Sequence, residues 1–285
     1  MAKNESVIRV LLLSVLLALD AAVALAQDSA YEEAAWDRER IAPGLVWRHS
    51  HVRVNDTLYQ NINILLVNTR LRELSIVNNS GNNISVAERV NKHTCIAAIN
   101  GGFFDIVNGG SVTYIKSDGI IPEKGAAREW LTNSNINGCL LIDKKGDMHI
   151  EYISENESYD KYSEYPDVLV TGPILLSEGK GEPLPATSLV TTRHPRTVIG
   201  CINRNRIAMV TVDGRTPQSA GMTLEEMSEF MLWLRCTDAV NLDGGGSTTM
   251  WIRSKPFNGV VNKPCDNNKF DNHGARAVSS IITVN

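Results

Sequence analysis

The 285-residue sequence has no excess of positive charge, few cysteines and no long hydrophobic run after residue 26. Its 28 lysines and arginines are outnumbered by 32 aspartates and glutamates, and the formal net charge is −4 at pH 7. Nucleic-acid binding depends on a basic surface, so this composition argues against a nucleic-acid partner. A membrane-spanning helix needs roughly 18 apolar residues, and we expect no such span after residue 26.

The five cysteines are too widely spaced for a disulfide framework and form neither a CxxC motif nor a Cys/His cluster. We therefore expect mostly buried, inert thiols and no zinc site. The nucleotide P-loop motif is absent too, because no lysine follows the glycines at 244–246. The sequence predicts neither a bound metal nor a cofactor.

The N-terminal stretch has the layout of a secretory signal peptide. Lys3 and Arg9 precede an apolar run over residues 10–19, and small residues at 24 and 26 suit a cleavage site after Ala26. We predict a signal peptide over 1–26, a helical lead-in over 27–42 and one domain over 43–285. The mature protein is expected to be secreted or periplasmic.

The remaining pattern indicates a single α+β domain with a mixed β-sheet core and few helices. At 43% hydrophobic residues the chain can bury a substantial core. Short strand-like runs outnumber helical ones, and no regular βαβ alternation appears. Two capping boxes, Ser85 with Glu88 and Thr223 with Glu226, predict the starts of two helices.

Three segments share one pattern, in which an apolar run ends in a polar residue and glycine follows. They cover residues 97–105, 209–215 and 240–249, and each carries an aspartate, namely Asp105, Asp213 and Asp243. Strand ends followed by glycine turns place side chains and backbone N–H groups at one rim of a sheet, where successive N–H groups hold an anion. We expect a shared site there, with Arg196 supplying a planar fork for phosphate oxygens.

The motifs AINGGFFD, GPILL, RTVIG, VTVDGR, GMTLEEM and AVNLDGGGSTTM, in this order, resemble the phosphodiester glycosidase family over residues 43–285. The resemblance implies hydrolysis of a sugar-1-phosphodiester at the anomeric carbon, with release of the sugar and a phosphomonoester. A phosphorylated carbohydrate is then the expected partner. Asp243 is then the first candidate for nucleophile or general base, and arginine is expected to neutralise the charge of the departing phosphate.

The expected site divides into catalytic and substrate-binding residues. The catalytic candidates are Asp243, Asp213, Asp105 and Arg196; the substrate-binding candidates are Asn100, Gly101, Asn241, Gly244, Gly245, Gly246, Ser247, Thr248, Arg215 and Arg276.

Two other functions remain open on the sequence. In a metal-dependent phosphodiesterase, Asp105, Asp213, Asp243 and Asn241 supply oxygen ligands to a divalent ion and the P–O bond breaks. In a non-catalytic envelope module, the same cradle binds an anionic glycan without turnover.

Overall fold

The computed structural model describes residues 30–78, 82–122, 135–153 and 159–285, which contain sixteen strands, three short α-helices and a helical turn over residues 30–33. The predicted signal peptide over 1–26 lies outside these residues. The strands are β1 (Asp37–Ala42), β2 (Leu45–Arg53), β3 (Tyr59–Asn68), β4 (Leu74–Asn78), β5 (Ala97–Asn100), β6 (Ile115–Lys116), β7 (Gly138–Ile142), β8 (Met148–Tyr152), β9 (Asp167–Thr171), β10 (Ile174–Ser177), β11 (Lys180–Gly181), β12 (Arg196–Asn203), β13 (Arg206–Val212), β14 (Asp238–Asn241), β15 (Met250–Ile252) and β16 (Ser280–Val284). The helices are α1 (Val86–Arg89), α2 (Ser188–Thr191) and α3 (Leu224–Trp233), with 3₁₀ turns at Tyr159–Tyr162, Gly245–Ser247 and Phe257–Gly259.

The strands form three sheets whose ladders between named strands are all antiparallel. The large sheet has the order β1-β2-β3-β13-β12-β14-β10-β11, and the two smaller sheets have the orders β15-β5-β16-β4 and β6-β9-β7-β8. Five of the thirteen neighbouring pairs are hairpins of consecutive strands, which antiparallel pairing permits with short turns, and the other eight join segments farther apart in sequence.

Side-chain alternation sends the large sheet's two faces into different cores. On β12, Ile199 packs into a cluster that also receives Ile99 and Leu169 from the two smaller sheets. Its neighbour Val198 points the other way, into a cluster with Phe230 of α3. Because one cluster unites strands of all three sheets, they form a single domain, and the predicted α+β class is confirmed.

The helix starts differ from one another. Thr223 and Glu226 form the predicted capping box at α3, with both reciprocal hydrogen bonds present. At α1 the Ser85 hydroxyl instead donates to the Glu88 carboxylate at 2.7 Å and accepts no backbone N–H. The Ser85 capping box is therefore absent, although the helix begins where it was predicted.

The predicted helical lead-in over 27–42 is helical only over residues 30–33 within the described part. Residues Asp37–Ala42 form strand β1, which pairs antiparallel with β2. Pairing with a neighbouring strand supplies hydrogen bonds that outweigh the weak helical pattern of this charged stretch.

None of the helices in the described residues has the length and apolarity that a membrane crossing requires.

Candidate active site

The site lies at the edge of the large sheet that is formed by strand ends, where three neighbouring central strands begin or end. β13 and β14 both run antiparallel to β12 and flank it, so their last residues meet the first residues of β12. Arg196 pairs with Val212, and Val198 pairs with Asn241. Asn100, at the end of β5, reaches the same edge from the second sheet by accepting the Thr197 hydroxyl at 2.7 Å. The predicted strand ends therefore converge.

The backbone of Asp243 is held at both its amide and its carbonyl. Its N–H donates to the Gly101 carbonyl at 3.1 Å, and its carbonyl accepts the Asn100 side-chain amide at 2.7 Å. The Asn100 oxygen also accepts the Thr249 N–H at 3.1 Å. Fully buried Asn100 thus ties β5 to both ends of the glycine loop, residues 244–246, and positions Asp243.

Burial raises the pKa of Asp243 to about 6 from an ordinary value of 3.8. The Ser247 hydroxyl, the Gly244 N–H and the charges of Arg276 and Arg215 oppose this rise because they favour the carboxylate. The carboxylate accepts the Gly244 N–H at 2.9 Å. A carboxyl group with this pKa changes charge near neutral pH, as an acid–base catalyst requires.

Each glycine of the loop fills a place where a side chain has no room. A Cβ on Gly244 would lie 2.6 Å from the Pro195 carbonyl oxygen. Gly245 has φ +61° and packs against the Arg215 guanidinium, and Gly246 packs against Asp266 and Arg276. The three glycines therefore let two arginines approach the backbone beside Asp243.

The two arginines differ in how they are held. Arg276 forms an ion pair with Asp266, which raises the pKa of Arg276. Arg215 donates to His194 Nδ1 at 3.2 Å and forms no ion pair among the described residues. Its guanidinium therefore places a positive charge beside the glycine loop that no ion pair among the described residues neutralises.

The amides of the loop are less available than the sequence predicted. The Gly244 N–H donates to Asp243, and the Gly245 N–H donates to the Pro195 carbonyl at 2.9 Å. Of the three, only the Gly246 N–H finds no acceptor in the part of the chain described. The loop thus offers one amide for an anion, since two already have acceptors.

Ser247 and Thr248 follow the glycines and are fully buried. Neither hydroxyl has a hydrogen-bond partner of regular geometry among the described residues, although Ser247 lies near enough to Asp243 to lower its pKa. Buried hydroxyls normally find partners, so this pair has hydrogen-bonding capacity to spare for water or a ligand.

Asp213 ends beside the same sheet edge, but its carboxylate is engaged inside the protein. It accepts the side-chain amides of Asn61 at 2.7 Å and Asn262 at 2.8 Å and the Lys263 N–H at 2.9 Å. Burial raises its pKa and these donors partly offset the rise. The predicted catalytic candidate is here the anchor of the loop that follows β15.

The Asp105 carboxylate accepts hydrogen bonds within its own turn. It accepts the N–H groups of Val107 at 2.8 Å and Asn108 at 2.9 Å, and the Asn108 side-chain amide at 2.9 Å. Such a closed turn is the common structural use of aspartate after a strand.

The Arg196 guanidinium also departs from its predicted role of phosphate ligand. The residue is 1% exposed, and its side chain donates to the carbonyls of Met222 at 2.8 Å and of Leu189 and Thr192 at 2.7 Å. Burial lowers its pKa to about 10. Arg196 ties α2 to the start of α3, because it satisfies carbonyls from both segments.

Asn241 is buried and donates its side-chain amide to the Gly172 carbonyl at 2.8 Å. The Asn241 Oδ1 atom, by contrast, is buried without a hydrogen-bond partner among the described residues. Among the described residues no group of three or more His, Cys, Asp or Glu side chains is arranged to hold a metal ion.

Three contributors to the site have little signal in the sequence. Pro195, Asp266 and Asn262 lie in polar or loop segments with no distinctive motif, and each acts through a contact distant in sequence. His194 stood beside Arg196 in the sequence, but its contact with Arg215 depends on the fold.

Comparison with known proteins connects this geometry to a family. The sequence model of the phosphodiester glycosidase family matches residues 93–285. The bovine and human N-acetylglucosamine-1-phosphodiester alpha-N-acetylglucosaminidases are each 27% identical over 214 residues, which cover 70% of this chain. The matched region is 38% of the bovine and 39% of the human enzyme, so this chain aligns with about two fifths of these relatives.

Solved structures share the fold at lower identity. The catalytic domain of the zebrafish N-acetylglucosamine-1-phosphodiester alpha-N-acetylglucosaminidase, described as auto-inhibited by its pro-peptide, superposes with a TM-score of 0.67 at 21% identity, covering 88% of this chain and 87% of that one. A putative exported protein of Burkholderia pseudomallei superposes with a TM-score of 0.58 at 15% identity, covering 79% and 74%. Since the family model spans more than half of the sequence, the chain belongs to the phosphodiester glycosidase family.

Proposed function

We propose that this protein hydrolyses a sugar-1-phosphodiester at the anomeric carbon and leaves a phosphomonoester. The observation that carries the proposal is the placement of Asp243, whose carboxylate has a pKa of about 6 and feels the charges of Arg276 and Arg215. A carboxyl group that titrates near neutral pH thus lies beside two guanidinium groups at the glycine loop.

This arrangement suits a phosphate leaving group better than an alcohol. Ordinary glycoside hydrolysis uses two carboxyl groups, one of which protonates the departing alcohol. A phosphomonoester has a second pKa of about 6 and departs without that proton when its growing charge is neutralised. Arg215, which forms no ion pair among the described residues, supplies most of the neutralising charge, and guanidinium groups match phosphate oxygens in geometry.

In the proposed reaction the bond between the anomeric carbon and the phosphate oxygen breaks, and its electron pair stays on the phosphate. The Asp243 carboxylate acts at the anomeric carbon, either directly as nucleophile or as the base that takes a proton from water. Water supplies the oxygen that ends on the sugar. Asn100 and Gly101 keep Asp243 in place through its backbone.

The names of the bovine and human relatives specify N-acetylglucosamine, and this sugar is therefore the first to test. We also propose that the protein acts outside the cytoplasm. The signal-like sequence over residues 1–26 supports this location, as does the fold shared with a protein described as exported.

The test is turnover of a panel of hexose-1-phosphate methyl diesters, including N-acetylglucosamine, by the wild type and by Asp243→Asn. Asp143→Asn is the matched control, because Asp143 accepts backbone N–H groups from Lys145 and Asp147 in the β7–β8 hairpin. We expect turnover by the wild type and Asp143→Asn and at least a hundredfold loss in Asp243→Asn, in line with removal of a general base.

The pH profile and a chelator separate the competing functions. Because Asp243 acts as the carboxylate, kcat/KM should rise as pH increases through about 6. Glycan binding without turnover would contradict the proposal and favour a binding module. Activity that disappears in chelator and returns with a divalent ion would favour the metal-dependent phosphodiesterase.

A further inference from the structure

The contact between Arg215 and His194 fixes the protonation state of the histidine. Arg215 Nη2 lies 3.2 Å from His194 Nδ1. A guanidinium group carries only N–H donors and cannot accept a hydrogen bond. His194 Nδ1 must therefore be the acceptor, so the ring is neutral and carries its proton on Nε2.

The backbone around this contact is tightly packed. His194 pairs with Met222 through hydrogen bonds of 3.2 and 3.1 Å. Gly221 packs against the His194 carbonyl, and a Cβ on Gly214 would lie 2.9 Å from Pro195 N. Three chain segments thus touch backbone to backbone and hold the His194 backbone in a fixed position relative to the turn that carries Arg215.

Arg215 itself has an unusual backbone. Its φ of +62° lies in the left-handed region, which is unfavourable for a residue with a side chain. Its guanidinium packs against Gly245, with Nη2 3.0 Å from the position that a Cβ would take. Besides His194, the Cys265 thiol lies near Arg215, whose charge opposes the rise that burial causes in the pKa of that thiol. Both neighbours are neutral, so neither cancels the charge of Arg215.

We propose that His194 is a positioning residue, which holds the Arg215 guanidinium against Gly245 so that it faces the phosphate group of the substrate. The inference rests on the proposed function for the identity of that anion. A carboxylate in place of His194 would fix Arg215 equally well but would neutralise it. A neutral imidazole acceptor fixes the geometry and leaves the positive charge for phosphate.

The charges around His194 keep it in this state. Burial, Arg196 and Arg215 all lower its pKa from 6.5, so the ring is neutral at pH 7. The neighbouring Arg193 is paired with Glu226. Protonation in acid would turn Nδ1 into a donor facing a cation, and the contact with Arg215 would be lost.

The first test reads the tautomer directly and needs no turnover. Nitrogen-15 NMR of the imidazole, assigned with His194→Asn, should show an unprotonated Nδ1 and a protonated Nε2 at pH 7. Arg215→Ala should raise the pKa of His194, because it removes both a cation and the donor. A proton on Nδ1 in the wild type, or a His194 pKa that Arg215→Ala leaves unchanged, would overturn the inference.

The second test measures binding of inorganic phosphate by calorimetry. We expect His194→Ala to weaken binding about tenfold, the effect of one hydrogen bond. His194→Asn, whose amide oxygen replaces Nδ1 as acceptor, should recover most of the loss. The same pattern should appear in KM for a diester substrate more than in kcat. Equal binding by the wild type and both variants would overturn the inference.

The two proposals fail in different ways. Phosphate binding that responds to His194 as expected, without turnover of any diester, would contradict the proposed reaction and leave the positioning role standing. Turnover with a His194→Ala variant that matches the wild type in KM and phosphate affinity would do the reverse. No phosphate binding by the wild type would overturn both.

Discussion

Replacing Asp243 with asparagine should remove turnover and at the same time stabilise the fold at neutral pH. The carboxylate is half-buried, and burial raises its pKa from 3.8 to about 6. The native state therefore prefers the protonated form, and at pH 7 it must hold a charge that the unfolded chain exposes to water. Asparagine resembles the uncharged form and retains an oxygen that accepts the Gly244 N–H.

The size of the effect follows from the shift. A rise of about two pKa units, at about 1.4 kcal/mol each, corresponds to up to about 3 kcal/mol. Because the native pKa is the higher one, this contribution to stability is complete below about pH 3.8 and is lost as pH rises through about 6. Solvent reaches part of the side chain, so we expect Asp243→Asn to gain about 1–3 kcal/mol at pH 7.

Urea denaturation at pH 4, 5, 6 and 7 measures the difference. The variant should approach the wild type in stability at pH 4 and exceed it progressively up to pH 7, with an unchanged m-value. Asp143→Asn, in the hairpin turn, should show no such divergence. The reasoning would be refuted if the variant were less stable than the wild type at pH 7, or if the difference in stability between them did not shrink in acid. Either result would show that burial does not disfavour the charged form of Asp243.

Three further substitutions separate structural from functional roles. Asp213→Asn should lower stability by about 2 kcal/mol in urea denaturation, because N–H donors face both carboxylate oxygens and an amide NH₂ must oppose one of them. A neutral effect would mean that burial of the charge outweighs those hydrogen bonds. Arg196→Ala should lower the free energy of unfolding by about 3 kcal/mol or more, and Tm with it, because it leaves buried carbonyls without donors. An unchanged Tm would show that Arg196 is not needed for stability. Gly245→Ala should cost about 1–2 kcal/mol, because φ is +61°, and should raise KM by displacing the Arg215 guanidinium. Wild-type KM in this variant would show that Arg215 does not bind substrate.

The sequence was sufficient to predict which strand ends meet, because its signal is local. Each converging segment ends an apolar run with a polar residue and glycine, and antiparallel pairing around β12 brings two of these ends together. The three consecutive glycines also predicted a close approach, and in the structure a side chain at each position would collide with backbone or with a charged side chain. The α3 capping box was readable for the same reason, because both partners lie within four residues.

The sequence could not predict which of the three aspartates has its carboxylate taken up by structural hydrogen bonds. The donors that engage Asp213 come from Asn61 and from the loop at residues 262–263, far along the chain, and nothing near Asp213 announces them. Arg196 faced the same difficulty, because its acceptors are backbone carbonyls, which have no sequence signature. Strand β1 was missed because its partner β2, not its composition, determines its conformation.

The most direct test of the central claim, that Asp243 acts at a sugar carbon while arginine neutralises a departing phosphate, is hydrolysis of a hexose-1-phosphate diester in oxygen-18 water. Mass spectrometry of the products then locates the label. Cleavage of the C–O bond predicts oxygen-18 in the released sugar and none in the phosphomonoester. Oxygen-18 in the phosphate would show that the P–O bond breaks, and it would contradict the role assigned to Asp243.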